Sequence, residues 1–197
     1  MKKPEEIKKL LSYVDGANVY CWIAGDAIVS FFLGQKVNDV DVHCSSSQDR
    51  MLAEGHLFKT GFKVIKRHGM GAKMRKDKTI VNILFTKKTT EETILNLDFS
   101  IYCVAFDSEG YFYCHERFFQ DLESKNLFFT NNSESLGGYS FKNRCTRLSN
   151  LLKKDFKIEK DSMIFWLSKL AENQKILQSN KIPKNNAFKV LKYWKKV

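Results

Sequence analysis

The stretch that decides the fold is residues 25–42, which read GDAIVSFFLGQKVNDVDV. A glycine, an apolar segment at helical spacing and a second glycine predict a short amphipathic helix between two turns. The residues from Asp39 to Val42 then alternate between acidic and apolar, which is typical of a half-buried strand. Because residues two apart on a strand point the same way, we predict that both carboxylates project from one face while both valines enter the core.

The carboxylate pair of Asp39 and Asp41 carries the chemistry of this stretch. Two carboxylates in one small space repel each other unless a cation lies between them. Mg²⁺ binds a few carboxylate oxygens together with nucleotide phosphates, and a pair of such ions activates a hydroxyl and stabilises leaving pyrophosphate. We therefore predict Asp39 and Asp41 as metal-binding and catalytic residues, with two Mg²⁺ ions of which one arrives with the NTP. The alternative is a solvated strand end, because motifs this short recur by accident.

The order of elements around this pair resembles a known family. A predicted strand over residues 19–24, Gly25, a helix, Gly34 and Asp-x-Asp on the next strand are similar to the local plan of polymerase-β-like nucleotidyltransferases. The resemblance is closest to the head domain of class II CCA-adding enzymes and bacterial poly(A) polymerases. Their head carries Gly-Gly-x-Val-Arg-Asp, a Leu-Leu-Gly turn and Asp-x-Asp at the spacing seen from Gly25 to Asp41.

A second block strengthens this resemblance. Residues 96–107, NLDFSIYCVAFD, are similar to Arg-Arg-Asp-Phe-Thr-Ile-Asn-Ala-Leu-Ala-Tyr-Asp of that family, and residues 144–159 are similar to the neck that follows its head. The resemblance implies an α+β fold, with a mixed-sheet nucleotidyltransferase head over residues 1–138 and a small, basic, helical neck-like segment over residues 139–197. It also implies that Gly25 lies near the triphosphate and Asp98 near the nucleotide sugar, and that Arg144 and Arg147 meet the base or phosphates.

Several family positions hold other residues here. The second glycine of the Gly-Gly pair is Asp26, and the arginines that precede the aspartate of the second block are replaced by Asn96 and Leu97. The family's choice between CTP and ATP is therefore not carried over to this chain. Where the superfamily often supplies a third acidic ligand, the polar residue is Asn82, whose amide binds metal weakly and cannot act as a base. A relic site that has lost its activity remains an alternative.

Charge is concentrated at the C-terminal end of the chain. Residues 1–141 hold 18 Lys and Arg against 18 Asp and Glu, whereas residues 142–197 hold 15 against 4, the whole excess of +11. Basic surfaces bind phosphate backbones through counterion release, so this segment predicts contact with nucleic acid, in particular RNA. The alternative is a solvated helical face. The closing amphipathic stretch, residues 187–196, is expected to dock on its own core, with RNA or a membrane surface as the other placements.

The remaining elements follow from periodicity and glycine positions. We predict helices over residues 4–14, 47–59 and 115–124, strands over 62–66, 72–75, 79–85, 101–106 and 111–114, and two or three helices in the last third. The five cysteines lack paired spacing and are expected to be buried, reduced thiols. The first residues are charged and no apolar run is long enough to cross a bilayer, which predicts a cytoplasmic protein without a membrane partner.

Together these features predict a Mg²⁺-dependent nucleotidyltransferase that moves a nucleoside monophosphate from NTP to an acceptor. The expected acceptor is an RNA 3′ end, of tRNA or another RNA. One alternative keeps the chemistry but transfers the nucleotide to a protein or a small molecule. The other is a catalytically degenerate module that binds nucleotide or RNA and uses the basic segment to hold it.

Overall fold

A computed structural model describes residues 4–37, 39–130, 138–165 and 167–168. It contains a seven-stranded mixed sheet, as the α+β expectation requires. Its strands are β1 (Cys21–Ala24), β2 (Asp39–Cys44), β3 (Lys63–His68), β4 (Gly71–Lys76), β5 (Thr79–Phe85), β6 (Val104–Asp107) and β7 (Phe112–Cys114). The helices are α1 (Asp26–Phe32), α2 (Ser47–Lys59), α3 (Thr90–Leu95), α4 (Phe118–Ser124) and α5 (Gly138–Leu152), with 3₁₀ helices at Pro4–Leu10 and Asp15–Ala17 and a small parallel pair, β8 (Asn126–Leu127) and β9 (Lys157–Ile158).

The strands lie in the order β3-β4-β5-β2-β1-β6-β7. Within this sheet β2 and β5 run parallel, and the other neighbours pair antiparallel. In this register Asp41 lies opposite Asn82, which in turn lies opposite Lys73. The sheet therefore brings one side chain from each of three strands into a single row.

Alternation along the strands divides the sheet into two faces. Cys21 and Ile23 of β1 share a face with Val42, and this face is buried under α1, α2 and the first 3₁₀ helix. On the other face α3 covers β1 and β6, where Trp22 packs with Ile94. The side of β2 that carries Asp39 and Asp41 lies on this second face, beyond the part that α3 covers. One half of the face is thus core, and the other half is open.

Local sequence explains where the helices begin. Helix α2 spans the predicted residues, because the Ser46 hydroxyl accepts a hydrogen bond from the Asp49 amide at 2.9 Å. Helix α3 was not predicted, although Thr89 and Glu92 form a reciprocal capping box that the sequence pattern Thr-x-x-Glu announces. A search for this pattern in the segment after β5 would have found the helix.

Two predicted elements differ from the structure. The helix expected over residues 4–14 is a 3₁₀ helix that ends at Leu10. Amides here bond three residues back and not four, as Leu11 does to the Lys8 carbonyl. The strand expected from residue 101 begins at Val104, because Tyr102 and Cys103 both donate to the Phe99 carbonyl in a turn. The expected strands over 72–75 and 79–85 and the short helix within 115–124 are confirmed.

Helix α5 packs against the head through buried leucines. Leu148, Leu151 and the following Phe156 belong to the same apolar cluster as the sheet. The division between residues 138 and 139 stays a prediction. Its preceding stretch, residues 131–137, lies outside the described residues. Helix α5 is one of the two or three helices expected in the last third. Residues 169–197, the closing stretch 187–196 included, also lie outside the described residues. In the described part of the chain no helix has the length and apolarity to cross a membrane.

The cysteines match their prediction in part, since all are free thiols but only three are buried. All five are free thiols; Cys21, Cys44 and Cys103 are buried, whereas Cys114 and Cys145 are half-buried. Burial raises the pKa of each of the three buried thiols to about 12. These thiols are therefore protonated at neutral pH and serve as small apolar side chains.

Candidate functional site

Strand β2 presents both aspartates on the open face of the sheet. Asp39 and Asp41 are exposed, whereas Val40 and Val42 are buried, as the sequence alternation predicts. Residues two apart on a strand are separated by about 6.6 Å along its axis. The two carboxylates are thus near neighbours on one surface, and neither is enclosed by surrounding side chains.

Each carboxylate has one hydrogen-bond partner, on β4 for Asp39 and on β5 for Asp41. The Lys73 ammonium donates to Asp39 Oδ2 at 2.6 Å, and the Asn82 amide donates to Asp41 Oδ1 at 3.0 Å. For the other oxygen of each group, Asp39 Oδ1 and Asp41 Oδ2, the described residues provide no hydrogen-bond donor. One oxygen per carboxylate is therefore available to a ligand.

Asn82 is itself held by a histidine. His68 Nε2 lies 3.1 Å from Asn82 Oδ1. Because the Asn82 nitrogen already donates to Asp41, its oxygen must accept, so His68 carries the proton on Nε2. The two hydrogen bonds, from His68 to Asn82 and from Asn82 to Asp41, fix the orientation of the Asp41 carboxylate.

The two available carboxylate oxygens suit a hard divalent cation. They are the ligand type that Mg²⁺ prefers, and this ion takes its remaining ligands from water and phosphate. No cluster of three or more His, Cys, Asp or Glu side chains suited to a metal occurs within the described ranges. Within those ranges the negative charge on this face is therefore that of two carboxylates, of which Asp39 is partly neutralised by Lys73.

A cleft of about 330 Å³ opens beside Asp39. It lies between the first turns of α1, the segment that leads into β2, and the end of α5. Its wall carries charges of both signs: its lining residues are Asp26, Ala27, Ser30, Gln35, Lys36, Val37, Asp39 and Lys154. A polar cleft of this size next to the carboxylate pair is suited to a small charged ligand.

Gly25 forms the turn that leads into this cleft. Its backbone φ angle is +73°, a conformation that residues other than glycine rarely adopt. Its amide donates to the Val104 carbonyl at 3.0 Å, and its own carbonyl accepts from Ile28 and Val29. Since the Gly25 amide is engaged in the fold, Gly25 shapes the turn and offers no free amide to a phosphate.

Asp98, Arg144 and Arg147 form a second cluster. Arg147 Nη1 donates to Asp98 Oδ1 at 3.1 Å, and Arg144 Nε lies 3.9 Å from Oδ2. Burial lowers the pKa of Arg144, and the Asp98 carboxylate opposes this shift. Asp98 Oδ2 and Arg144 Nη1 are both buried and have no hydrogen-bond partner among the described residues. The cluster thus brings together the three side chains that the resemblance assigned to the nucleotide.

Tyr102 joins this cluster to the cleft. The Arg147 guanidinium lies 5.9 Å from the centre of the Tyr102 ring, and the Tyr102 hydroxyl donates to Asp26 Oδ1 at 3.4 Å. Burial raises the pKa of Tyr102, which keeps its hydroxyl protonated as a donor. Because Asp26 lines the cleft together with Asp39, contacts through Tyr102 and Asp26 link the two groups of predicted site residues.

His43 closes the inner end of the carboxylate row. Its ring stacks on Trp22, with centroids 5.9 Å apart and planes 13° from parallel. Burial lowers the pKa of His43, and the Asp41 carboxylate opposes this shift. His43 is therefore neutral at pH 7 and leaves the charge of Asp41 uncompensated from this side.

Sequence reasoning missed several of these residues. Lys73 and His68 lie in the β3–β4 hairpin, and the sequence assigned neither of them a role at the site. Tyr102 stands in the second sequence block without an assigned role. The alternation of β4 and β5 places Lys73 and Asn82 each on a face, but only the strand register shows which carboxylates they meet.

Comparisons with known proteins identify a family and a fold for this chain. The family model described as "Gad2: Gabija anti-defense 2 family protein" matches residues 4–125. No curated protein matches the chain. Among solved structures, a Thermotoga maritima CCA-adding enzyme complexed with tRNA_CCA superposes with a TM-score of 0.66 at 16% identity, covering 85% of this chain and 42% of its own.

Two further structures give the same result. A tRNA-processing enzyme in an apo form has a TM-score of 0.65 at 20% identity, over 98% of this chain and 53% of its own. A tRNA nucleotidyltransferase complexed with a primer tRNA and an incoming ATP analog has a TM-score of 0.63 at 19% identity, over 97% and 55%. The fold is that of a polymerase-β-like nucleotidyltransferase, and the chain spans about half the length of these structures.

Proposed function

Because the chain belongs to the Gabija anti-defense 2 family and has a nucleotidyltransferase fold, we propose that it transfers a nucleoside monophosphate from NTP to an acceptor hydroxyl in a Mg²⁺-dependent reaction. The observation that carries this proposal is the placement of Asp39 and Asp41. Both project from one open face, each keeps one oxygen available, and Asp39 lines a cleft large enough for a triphosphate.

The chain's own residues have separate roles in this reaction. Asp39 and Asp41 would hold Mg²⁺, which when bound neutralises phosphate charge and promotes ionisation of the attacking hydroxyl. Asn82 keeps the Asp41 carboxylate oriented. Lys36 and Lys154 give the cleft positive charge for the triphosphate, and Asp26 opposes them at the turn that Gly25 shapes.

The Asp98 cluster is proposed to receive the nucleoside. Asp98 Oδ2 and Arg144 Nη1 are buried polar atoms without a hydrogen-bond partner in the described part of the chain, and such atoms are costly unless a ligand satisfies them. A ribose hydroxyl suits the carboxylate oxygen, and base or phosphate acceptors suit the guanidinium groups of Arg144 and Arg147. This arrangement supports the nucleotide-binding roles that the resemblance implies.

Two acceptors are supported by different observations. An RNA 3′ end is favoured by the similarity to structures titled as tRNA complexes and by the basic C-terminal end of the sequence. A protein acceptor is favoured by the family's description as an anti-defense protein, since modifying a protein component of the defence system would inhibit that system. A binding module without catalysis is favoured by Asn82 and by the Lys73 ion pair at Asp39.

The test incubates the full chain with Mg²⁺ and each α-labelled NTP in turn, together with RNA or with protein from a cell that carries the defence system. We expect wild-type protein to label one acceptor class and Asp39→Asn and Asp41→Asn variants to lose at least about a hundredfold in rate. Asp77→Asn, which removes an exposed carboxylate on the β4–β5 turn, is the matched control and should label normally.

Three outcomes would refute parts of this proposal. Undiminished labelling by the Asp39→Asn variant would remove the carboxylate pair from the mechanism. Labelling of protein alone would exclude an RNA acceptor. If calorimetry of the wild-type chain shows no metal-dependent NTP binding and no labelling occurs, the chain is a binding module.

A further inference from the structure

The open face of the sheet carries basic side chains on the side of Asp39 that leads away from the cleft. Residues 59–78 contain eight Lys and Arg and one acidic residue, Asp77, although the whole of residues 1–141 is balanced. Four of these cations, Lys63, Lys66, Lys73 and Arg75, are here called the basic stripe. The head therefore has a basic segment of its own, distinct in sequence from the basic C-terminal end.

The strand register aligns the basic stripe with the carboxylates. Lys66 lies opposite Lys73, which lies opposite Asn82 and so continues to Asp41. In a second row, Lys63 lies opposite Arg75, whose row continues through Ile80 to Asp39. Each step between strands is about 4.8 Å, so each row extends roughly 14 Å from a carboxylate to the sheet edge.

The opposite face of the same strands confirms this orientation. Ala72 and Met74, which alternate with Lys73 and Arg75, are buried on the face that α2 covers. Arg67 on β3 reaches Glu54 of α2 at 3.0 Å. The basic stripe must therefore point to the open face, on the same side as Asp39 and Asp41.

The cations of the basic stripe are available to a ligand. Lys63, Lys66 and Arg75 are exposed, and the structure records no anionic partner for them among the described residues. Only Lys73 is paired, and its partner is Asp39 itself. A row of unpaired cations leading to the proposed catalytic carboxylates is the electrostatic pattern of a polyanion track.

We propose that the basic stripe binds the backbone of a single-stranded nucleic acid whose terminal hydroxyl lies at Asp39 and Asp41. This inference rests on the proposed function and specifies its acceptor. Residues 63–80 contain no Phe, Tyr or Trp on which bases would stack. Binding therefore follows phosphates and is independent of sequence. An acidic protein strand would instead pair with the backbone edge of β3, which points sideways from the sheet and away from this face.

The test uses the full chain without NTP or Mg²⁺ and a fluorescent single-stranded RNA oligonucleotide, with anisotropy measured over a range of salt concentrations. The variant is Lys63→Glu with Lys66→Glu, both on the exposed edge strand. The matched control is Lys87→Glu with Lys88→Glu, an exposed pair beyond the end of β5 that is remote from Asp39. Thermal unfolding of each variant confirms that it is folded.

We expect the edge variant to bind RNA at least tenfold more weakly, with the slope of log affinity against log salt reduced by about 1.4, because each lost phosphate contact contributes about 0.7. The control should change affinity less than about twofold, since only remote net charge is altered. Should the edge variant fail to fold, Arg75→Gln in an otherwise unchanged chain provides the same comparison, with a slope reduced by about 0.7.

Equal affinity of the edge variant and the wild type would overturn the proposal. An equal loss in the control pair would also overturn it, because net charge alone would then explain binding. If the wild-type chain binds polyglutamate but does not bind RNA, the proposal is overturned and the surface is assigned to an acidic protein. If the wild-type chain binds RNA through the basic stripe but transfers no nucleotide in the labelling assay, the proposed function is rejected and the basic stripe stands.

Discussion

Lys73 on β4 and Asp39 on β2 form an ion pair across the intervening strand β5, with Lys73 Nζ 2.6 Å from Asp39 Oδ2. The ammonium occupies one of the two oxygens that a cation at this carboxylate would use. The resting site is therefore partly neutralised, and a bound divalent cation competes with a residue of the chain itself.

Replacement of Lys73 by Met should raise the affinity for Mn²⁺, a spectroscopic substitute for Mg²⁺. Removing one positive charge a few ångströms from the ligand oxygens is worth about 1 kcal/mol at a solvated site, or roughly fivefold in affinity. Stability should change by less than about 1 kcal/mol, because exposed ion pairs contribute little. Calorimetric titration measures the affinity. Lys66→Met, which touches neither carboxylate, is the control, and an equal gain in this variant would contradict the prediction.

Replacement of Asn82 by Asp should raise the affinity for metal and lower the stability of the metal-free protein. The substitution removes the donor to Asp41 Oδ1 and places a third carboxylate beside it. Repulsion and the lost hydrogen bond should cost about 1 kcal/mol without metal, whereas Mn²⁺ affinity should rise about tenfold. Melting temperatures with and without Mn²⁺ measure both effects. Asn82→Ala removes the donor without adding charge, and tighter binding in that variant would show that the new carboxylate is not the cause.

Replacement of Asp98 by Asn should destabilise the fold. Asp98 is 1% exposed and pairs with the buried Arg144, so the substitution leaves a buried guanidinium without a counter-charge, at a cost of about 3 kcal/mol. Arg147 is about half exposed, and Arg147→Gln should cost no more than about 1 kcal/mol. Urea unfolding measures both free energies. Equal losses in the two variants would mean that burial of the ion pair does not determine its contribution.

Acidification should destabilise the protein through His43. Burial lowers the pKa of His43 in the folded state, whereas the unfolded chain has a pKa near 6.5. Protonation therefore favours unfolding: the stabilising contribution is complete above pH 6.5 and is lost as the pH falls below it, by at most about 1.4 kcal/mol per pH unit. Denaturant midpoints at pH 7.5, 6.5 and 5.5 measure this loss. His43→Phe keeps a ring against Trp22 without the titration and should lose less; parallel pH profiles would argue against the assignment.

Sequence periodicity predicted the parts of the fold that depend on local patterns. The alternation of Asp39, Val40, Asp41 and Val42 identified the exposed face, and residue periodicity identified α2 over residues 47–59. Both features depend on neighbouring residues alone, so a single sequence contains them.

The contacts between strands were beyond such reasoning. A period of two shows that Asn82 and Lys73 lie on one face of their strands, but the partners of that face depend on register. The parallel pairing of β2 with β5 brings Asn82 to Asp41, and the antiparallel pairing of β5 with β4 brings Lys73 within reach of Asp39. Likewise, the burial of Asp98 depends on α5, which is far along the chain.

The exposed edge of the sheet also affects behaviour in concentrated solution. Every residue of β3 is exposed, and Val64 and Ile65 stand among the cations of this outer strand. Such a strand offers bare backbone groups to a second molecule, and lysines are a common means of preventing that pairing. Salt screens these charges, with a Debye length of about 10 Å at 0.1 M. At higher salt, copies of the protein should therefore associate through β3. Low ionic strength should keep the protein monodisperse.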